Sequence, residues 1–186
     1  MSQESKATHL NVRRIAFCGV ALALGTVTSL IKVFEFPFGG SITLLSMLFI
    51  CLVGYFYGPA TGITVGVAYG ILQLCLDPII YYPMQVILDY FAAFGALGLS
   101  GFFYKKKNGL LIGYLVAITG RWIFASLSGY IFWSEYAWEG WNALAYTLVY
   151  NGAYIFAEGV ITMILLALPP VANAIKRVKN VTLEQA

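Results

Sequence analysis

The stretch Gly129–Glu158, GYIFWSEYAWEGWNALAYTLVYNGAYIFAE, decides how the chain is read. It carries three of the four tryptophans (Trp133, Trp138, Trp141), five tyrosines and three acidic side chains, with no basic one. Apolar runs lie on both sides of it. A segment of this composition between two membrane spans presents ring faces, polar tips and negative charge at one membrane surface. Those groups suit a flat, polar, positively charged molecule.

Composition agrees with a membrane setting. The 186 residues are 60% hydrophobic and 10% charged, with mean hydropathy +0.81, where a soluble domain carries roughly a quarter charged residues. The length suits a single all-α integral membrane domain, residues 1–186, of six transmembrane helices at about 20 residues each. The expected spans are about 12–32, 42–57, 60–76, 84–104, 110–132 and 141–168. A polar leader (1–11) precedes them and a basic tail (171–186) follows. Pro169-Pro170 is read as the stop after the last span. The first apolar run is too long for a signal-peptide core and has no cleavage site after it, so it stays as a span.

Six spans put Lys6, Arg13, Arg14, Lys105, Lys106, Lys107, Lys176, Arg177 and Lys179 on one side. Glu35, Asp77, Glu135 and Glu139 fall opposite, with Lys32 as the one cation. The positive-inside rule then makes both termini cytoplasmic, turns the aromatic stretch outward, and predicts a multi-pass protein of the cell membrane.

Several chemistries are excluded. The net charge of +3 is too small to argue for nucleic acid. Cys18, Cys51 and Cys75 sit in apolar runs without a CxxC pair and read as packed small hydrophobes. The one histidine, His9, is in the leader, so no histidine metal site or His-assisted nucleophile exists within the spans, and no metal or cofactor is expected. No phosphate-binding loop of the G-x-x-x-x-G-K-[ST] type occurs, so the chain does not itself hydrolyse ATP in that way. Nucleophile and base candidates are not grouped, which argues against an enzyme.

Asp89, Arg121 and Glu158 are ionisable residues inside spans. Each costs about 2.5–3.5 kcal/mol at a helix centre and needs a partner or a task. An internal ion pair made by Arg121 would satisfy the cost without function. Asp89 follows Gln85 by one helical turn, with Tyr82 and Tyr90 close by and small residues beside it. In the last span Tyr146, Tyr150 and Tyr154 recur at four-residue spacing, with Asn151, Tyr154 and Glu158 on a neighbouring face. An interfacial aromatic belt explains Trp138, Trp141 and Tyr136 equally well, but not Asn151, whose amide needs a partner at depth. In the first span Gly19/Ala23 and Ala21/Gly25 form two small-xxx-small pairs, suited either to internal packing or to docking a partner helix. The first outer loop, VFEFPFGGS, offers Phe34, Phe36 and Phe38 as a cover over a site.

Two blocks carry a resemblance. RWIFASLSGYIFWSEYAWEGWNALAYTLVYNGA and VILDYFAAFGALGLSGFF resemble helices of the thiamine-specific substrate-binding subunits (S components) of energy-coupling factor vitamin transporters. The resemblance implies capture of thiamine from outside. It also implies uptake together with a partner membrane subunit and two ATP-binding subunits. On its motifs the carboxylate–Tyr pair falls on Asp89 and Tyr90, the Phe–Trp pair on Phe132 and Trp133, and the last-span Tyr and Asn on Tyr146 and Asn151. The family usually has glutamate in place of Asp89 and often histidine in place of Ala125, so another water-soluble vitamin or a pyrimidine precursor is a second expectation. The expected ligand-binding set is Asp89, Tyr90, Trp133, Tyr146, Asn151, Tyr82, Gln85, Tyr154, Glu158 and Phe36. Gly19, Ala21, Ala23 and Gly25 are the expected docking residues.

Overall fold

The computed structural model describes residues 3–183, with side chains described from Val12 to Thr182. Residues 1–2 of the expected leader and 184–186 of the expected tail lie outside the described residues. The chain runs as α1 (Gln3–Ser29), strands β1 (Lys32–Glu35) and β2 (Ser41–Thr43), α2 (Ser46–Tyr57), α3 (Pro59–Leu76), α4 (Pro83–Phe103), α5 (Gly109–Phe132), α6 (Ala143–Ala167) and α7 (Pro169–Leu183). Val12–Ser29 of α1, together with α3, α4, α5 and α6, are long and apolar enough to cross a membrane. The architecture is an all-α membrane bundle, and α2 is its short member.

Two boundaries differ from the sequence reading. Ser29, not Lys32, ends α1, and Ser46, not Ile42, begins α2, because Lys32–Thr43 folds as an antiparallel hairpin with Phe34 opposite Ile42 and Glu35 opposite Ser41. Pairing of the two strands satisfies backbone amides that would otherwise lack partners in this segment. At 12 residues, α2 spans about 18 Å against a hydrocarbon core of about 30 Å.

The tail also differs. Pro169 opens α7 rather than ending structure, since proline fits a first helical turn, where its missing N–H would have had no partner. Val171 and Ile175 pack on the core. Lys179 Nζ donates to the Tyr104 carbonyl at 2.8 Å and lies 3.6 Å from the Tyr55 ring centroid. Burial lowers the pKa of Lys179 from its ordinary value. The basic tail is therefore an amphipathic helix tied across one end of the bundle. The leader from Gln3 likewise continues α1 rather than preceding it.

The small residues of α1 divide. Ala21 and Gly25 are buried, and a Cβ on Gly25 would lie 3.3 Å from Ile50 Cδ1. Gly19 and Ala23 face outward. Internal packing has taken one pair, so Ala21 and Gly25 are not available as docking residues.

α3 and α4 approach at backbone distance. A Cβ on Gly62 would lie 2.7 Å from the Gly54 Cα and 2.9 Å from the Gly98 Cα. α4 itself is irregular. It winds as a π-helix over Ile87–Ala92 and as a 3-10 helix over Ala96–Phe103. Single π turns recur at functional sites, and this one contains Asp89.

Candidate functional site

A cavity of about 200 Å³ opens at the hairpin end, between the hairpin and helices α2 to α6. Asp89, Tyr90, Gln85, Trp133, Tyr146, Asn151, Tyr154 and Glu158 all line it. Tyr82 and Phe36 do not. Tyr82 stacks on Phe132 with ring centroids 5.4 Å apart. Phe36 packs on Phe34 at 4.8 Å and on Tyr150 at 6.0 Å. Each supports the wall from behind.

The lining residues do different jobs. Gln85 is 1% exposed, and its amide is engaged on both sides: Oε1 accepts from Tyr81 N (3.0 Å) and Tyr82 N (3.4 Å), while Nε2 donates to the Ile79 carbonyl (3.0 Å) and also lies beside the Asp89 carboxylate. The Tyr90 hydroxyl accepts from Ile79 N at 2.9 Å and donates to the Asp77 carbonyl at 3.3 Å. Both side chains therefore fasten the 77–82 loop, which carries Tyr81 to within 4.8 Å of the Trp133 ring centroid. They position the wall and have little left to offer an occupant.

Glu158 is similarly engaged. It is buried, and Oε2 accepts from Thr43 N (3.0 Å) and Thr43 Oγ1 (2.6 Å). Oε1 accepts from Met47 N (3.2 Å) and Ser46 Oγ (3.4 Å). A carboxylate at the first turn of α2 suits the positive end of that helix. Glu158 thus locks the foot of the hairpin to α2 and α6. Tyr150 locks its tip, accepting from Gly40 N at 3.1 Å and donating to the Pro37 carbonyl.

Asn151 keeps capacity. Its Nδ2 donates to the carbonyls of Thr147 (2.9 Å) and Ala125 (3.4 Å), and Oδ1 accepts from the Tyr154 hydroxyl at 2.7 Å. One lone pair of Oδ1 remains. Asp89 lies close to Ser128, Gln85 and Arg121. The Ser128 hydroxyl is buried and has the Asp89 carboxylate as its neighbour. Arg121 also lines the cavity, its guanidinium 4.4 Å from the Phe94 ring centroid. Among the described residues it forms no ion pair with Asp89 or Glu158. The internal ion pair that would have explained Arg121 is not present.

The mouth is aromatic. Trp133 packs with Tyr81, with Tyr136 at 5.5 Å and with Phe38 at 6.3 Å. Phe38 holds φ 64°, a left-handed conformation unusual for a large side chain, which turns its ring towards Tyr136 at 4.8 Å. Trp138 and Trp141 pack on each other outside the cavity, as a belt would. Lys32 bridges the hairpin to the 77–82 loop, 2.9 Å from Asp77 Oδ2 and 2.8 Å from Glu35 Oε1. These two carboxylates raise the Lys32 pKa above its ordinary 10.5. The lysine's share of the clasp is therefore fully present below pH 10.5 and is lost as the pH rises through that raised value.

The expected ligand-binding set left out Phe38 and Arg121, which line the cavity, and Tyr81 and Ser128, which adjoin its Trp133 and Asp89. Phe38 and Arg121 carried a signal, one through the Phe-rich loop and the other as a charge within a span. Tyr81 and Ser128 carried none. No cluster of three or more metal-ligating side chains occurs among the described residues.

Comparison with known proteins places this cavity in context. The chain is 30% identical over 146 residues to the thiamine transporter ThiT of Bacillus subtilis, covering 71% of this chain and 76% of that one. A thiamine transporter ThiT of Lacticaseibacillus paracasei is 29% identical over 116 residues, covering 53% and 58%. A solved structure of ThiT from Listeria monocytogenes superposes with TM-score 0.66 at 24% identity, covering 89% of this chain and 97% of that one, and shows the shared fold. Residues 15–177 match the model of the thiamine transporter protein family, and the chain belongs to that family of multi-pass cell-membrane transporters.

Proposed function

We propose that the chain is the thiamine-binding subunit of an energy-coupling factor importer, taking the vitamin from outside the cell for ATP-driven uptake. The observation that carries this reading is the convergence of Asp89, Trp133, Tyr146 and Asn151 on one cavity, in a chain of this family. Thiamine joins an aminopyrimidine to a cationic thiazolium. Asp89 accepts from the amino group or offsets the cation, and the Asn151 lone pair and Tyr146 fix orientation. Trp133 stacks on a ring, worth about 0.5–2 kcal/mol as a cation–π contact. This reading takes a six-span topology, with Arg13, Arg14, Lys105 to Lys107 and α7 on the cytoplasmic side by the positive-inside rule and the cavity mouth outside.

A thermal-shift panel of water-soluble vitamins, with the thiamine pyrimidine included, tests the reading. Thiamine should give the largest rise in melting temperature and should quench tryptophan emission. If no compound of the panel does either, the reading fails. A larger shift with the pyrimidine alone would favour a precursor, as the short Asp89 and the small Ala125 side chains in the wall permit.

Two further outcomes follow. Asp77→Asn opens half of the Lys32 clasp, so thiamine release in stopped-flow fluorescence should speed up several-fold while stability changes by less than about 1 kcal/mol, as expected of an exposed pair. On α1, the outward pair Gly19 and Ala23 is the surface we assign to the partner membrane subunit. Ala23→Trp should leave thiamine binding intact and abolish uptake into cells that supply the partner and ATPase subunits. Loss of binding as well would return that surface to internal packing.

A further inference from the structure

Away from the cavity at the hairpin end, a second concavity of about 260 Å³ runs along the bundle surface between α1 and α2. Phe17, Val20 and Leu24 of α1 face Leu52 and Phe56 of α2 across it, and it exposes no polar atom. From Phe17 to Leu24 it covers about 10 Å of helix. Phe17 and Phe56 meet at one end, with ring centroids 4.9 Å apart, and there α7 adds Ile175 and Val178 to the wall. That is the end to which Lys179 ties α7, through the Tyr104 carbonyl and the Tyr55 ring.

The rim at this end is basic. Arg13 stands one helical turn before Phe17 on the same face of α1, and Arg177 flanks the Ile175–Val178 face of α7. Both are exposed. Lys176 and Arg177 form no ion pair among the described residues. No carboxylate described with its side chain lies here: Glu35, Asp77, Glu135 and Glu139 belong to the hairpin end, and Asp89 and Glu158 line the cavity.

An apolar groove of this kind holds no ordered water, so within a bilayer it is filled by hydrocarbon. A helix, about 10–12 Å across, needs several times this volume over the same length. A single acyl chain does not. The small-residue face assigned above to the partner subunit looks the other way: Ala21 lines the groove, while Gly19 and Ala23, two residues to either side of it, stand about 200° around α1. A basic amphipathic helix beside an apolar slot selects a negatively charged headgroup. We infer that this groove is a site for one anionic phospholipid, with an acyl chain between α1 and α2 and the headgroup on the basic rim formed by Arg13 and Arg177. In the orientation proposed above, that lipid belongs to the inner leaflet.

Native mass spectrometry of the purified full-length protein, equilibrated with equal amounts of phosphatidylglycerol and phosphatidylcholine of identical chains, tests the site. Wild-type protein should retain one phosphatidylglycerol, preferred about 30-fold over phosphatidylcholine as two basic side chains at a headgroup provide. Arg177→Gln should cut that preference about fivefold, and Arg13→Gln likewise. Ala174→Trp, which sets an indole in the groove, should remove the retained lipid of either kind while the protein keeps its melting temperature. Equal retention of the two lipids by the wild type would overturn the inference, as would an undiminished preference in both glutamine variants. A lipid that survives Ala174→Trp lies elsewhere, which also overturns it. If the wild type retains no lipid and Ala174→Trp instead blocks co-purification of the partner membrane subunit, the groove belongs to a protein and the inference fails. The wild-type comparison decides even if the tryptophan variant does not fold, and none of these readouts involves thiamine, so the two readings stand or fall separately.

Discussion

Asp89→Asn should weaken thiamine binding roughly 30- to 150-fold without lowering the melting temperature of the empty protein. The first part follows from the loss of a charge-assisted hydrogen bond or ion contact to the ligand, worth about 2–3 kcal/mol. The second follows from the opposite sign of the same charge in the absence of ligand. A carboxylate at a span centre costs about 2.5–3.5 kcal/mol on insertion scales, and an isosteric amide removes that cost. Calorimetric titration and a thermal melt on the same preparation read both quantities. A destabilised empty protein would mean that Asp89 holds the π turn of α4 together and is not reserved for ligand. Unchanged affinity would take it out of the site.

Glu158→Ala should be the most destabilising single substitution in the cavity wall. It removes the acceptor shared by Thr43 N, Thr43 Oγ1, Ser46 Oγ and Met47 N. Two of these donors are backbone amides, those of Thr43 and the buried Met47. Stranding buried donors costs about 1–3 kcal/mol each, so a loss of roughly 3–5 kcal/mol is expected in equilibrium unfolding. Glu158→Gln keeps the shape but turns an NH₂ group towards donors, so it should recover only part of that loss. If Glu158→Ala is neutral, the hairpin is held chiefly by Tyr150 at its tip.

The spans were legible because lipid demands long apolar runs, and such runs are visible in any sequence. The hairpin was not. Its strands are four and three residues long, too short for alternation to register, and nothing local says that a loop will fold over a cavity. Asp89, Trp133, Tyr146 and Asn151 could be brought to one site from residue type and resemblance. Gln85, Tyr90 and Glu158 were placed beside them for the same reason, and they do line the cavity. Yet a sequence tells only that a buried polar group needs a partner, and here the partners are backbone amides and carbonyls of the neighbouring loops. The division on α1 was available in principle. Ala21 and Ala23 stand two residues apart, about 200° around a helix, so both small-residue pairs could never have faced one neighbour.

The shortness of α2 has a consequence for energetics beyond binding. Where the five candidate spans run 18 residues or more, this helix covers about 18 Å, and in the orientation proposed the cavity beside it carries the outer medium's dielectric inward. The voltage across the cell membrane therefore drops over a shortened path at this point. In the orientation proposed, a charge seated beside Asp89 has already traversed part of that drop, at about 2.3 kcal/mol per elementary charge for a full 100 mV. An interior-negative cell would hold a cationic occupant more firmly than a de-energised vesicle does, and the same field would oppose its return to the medium.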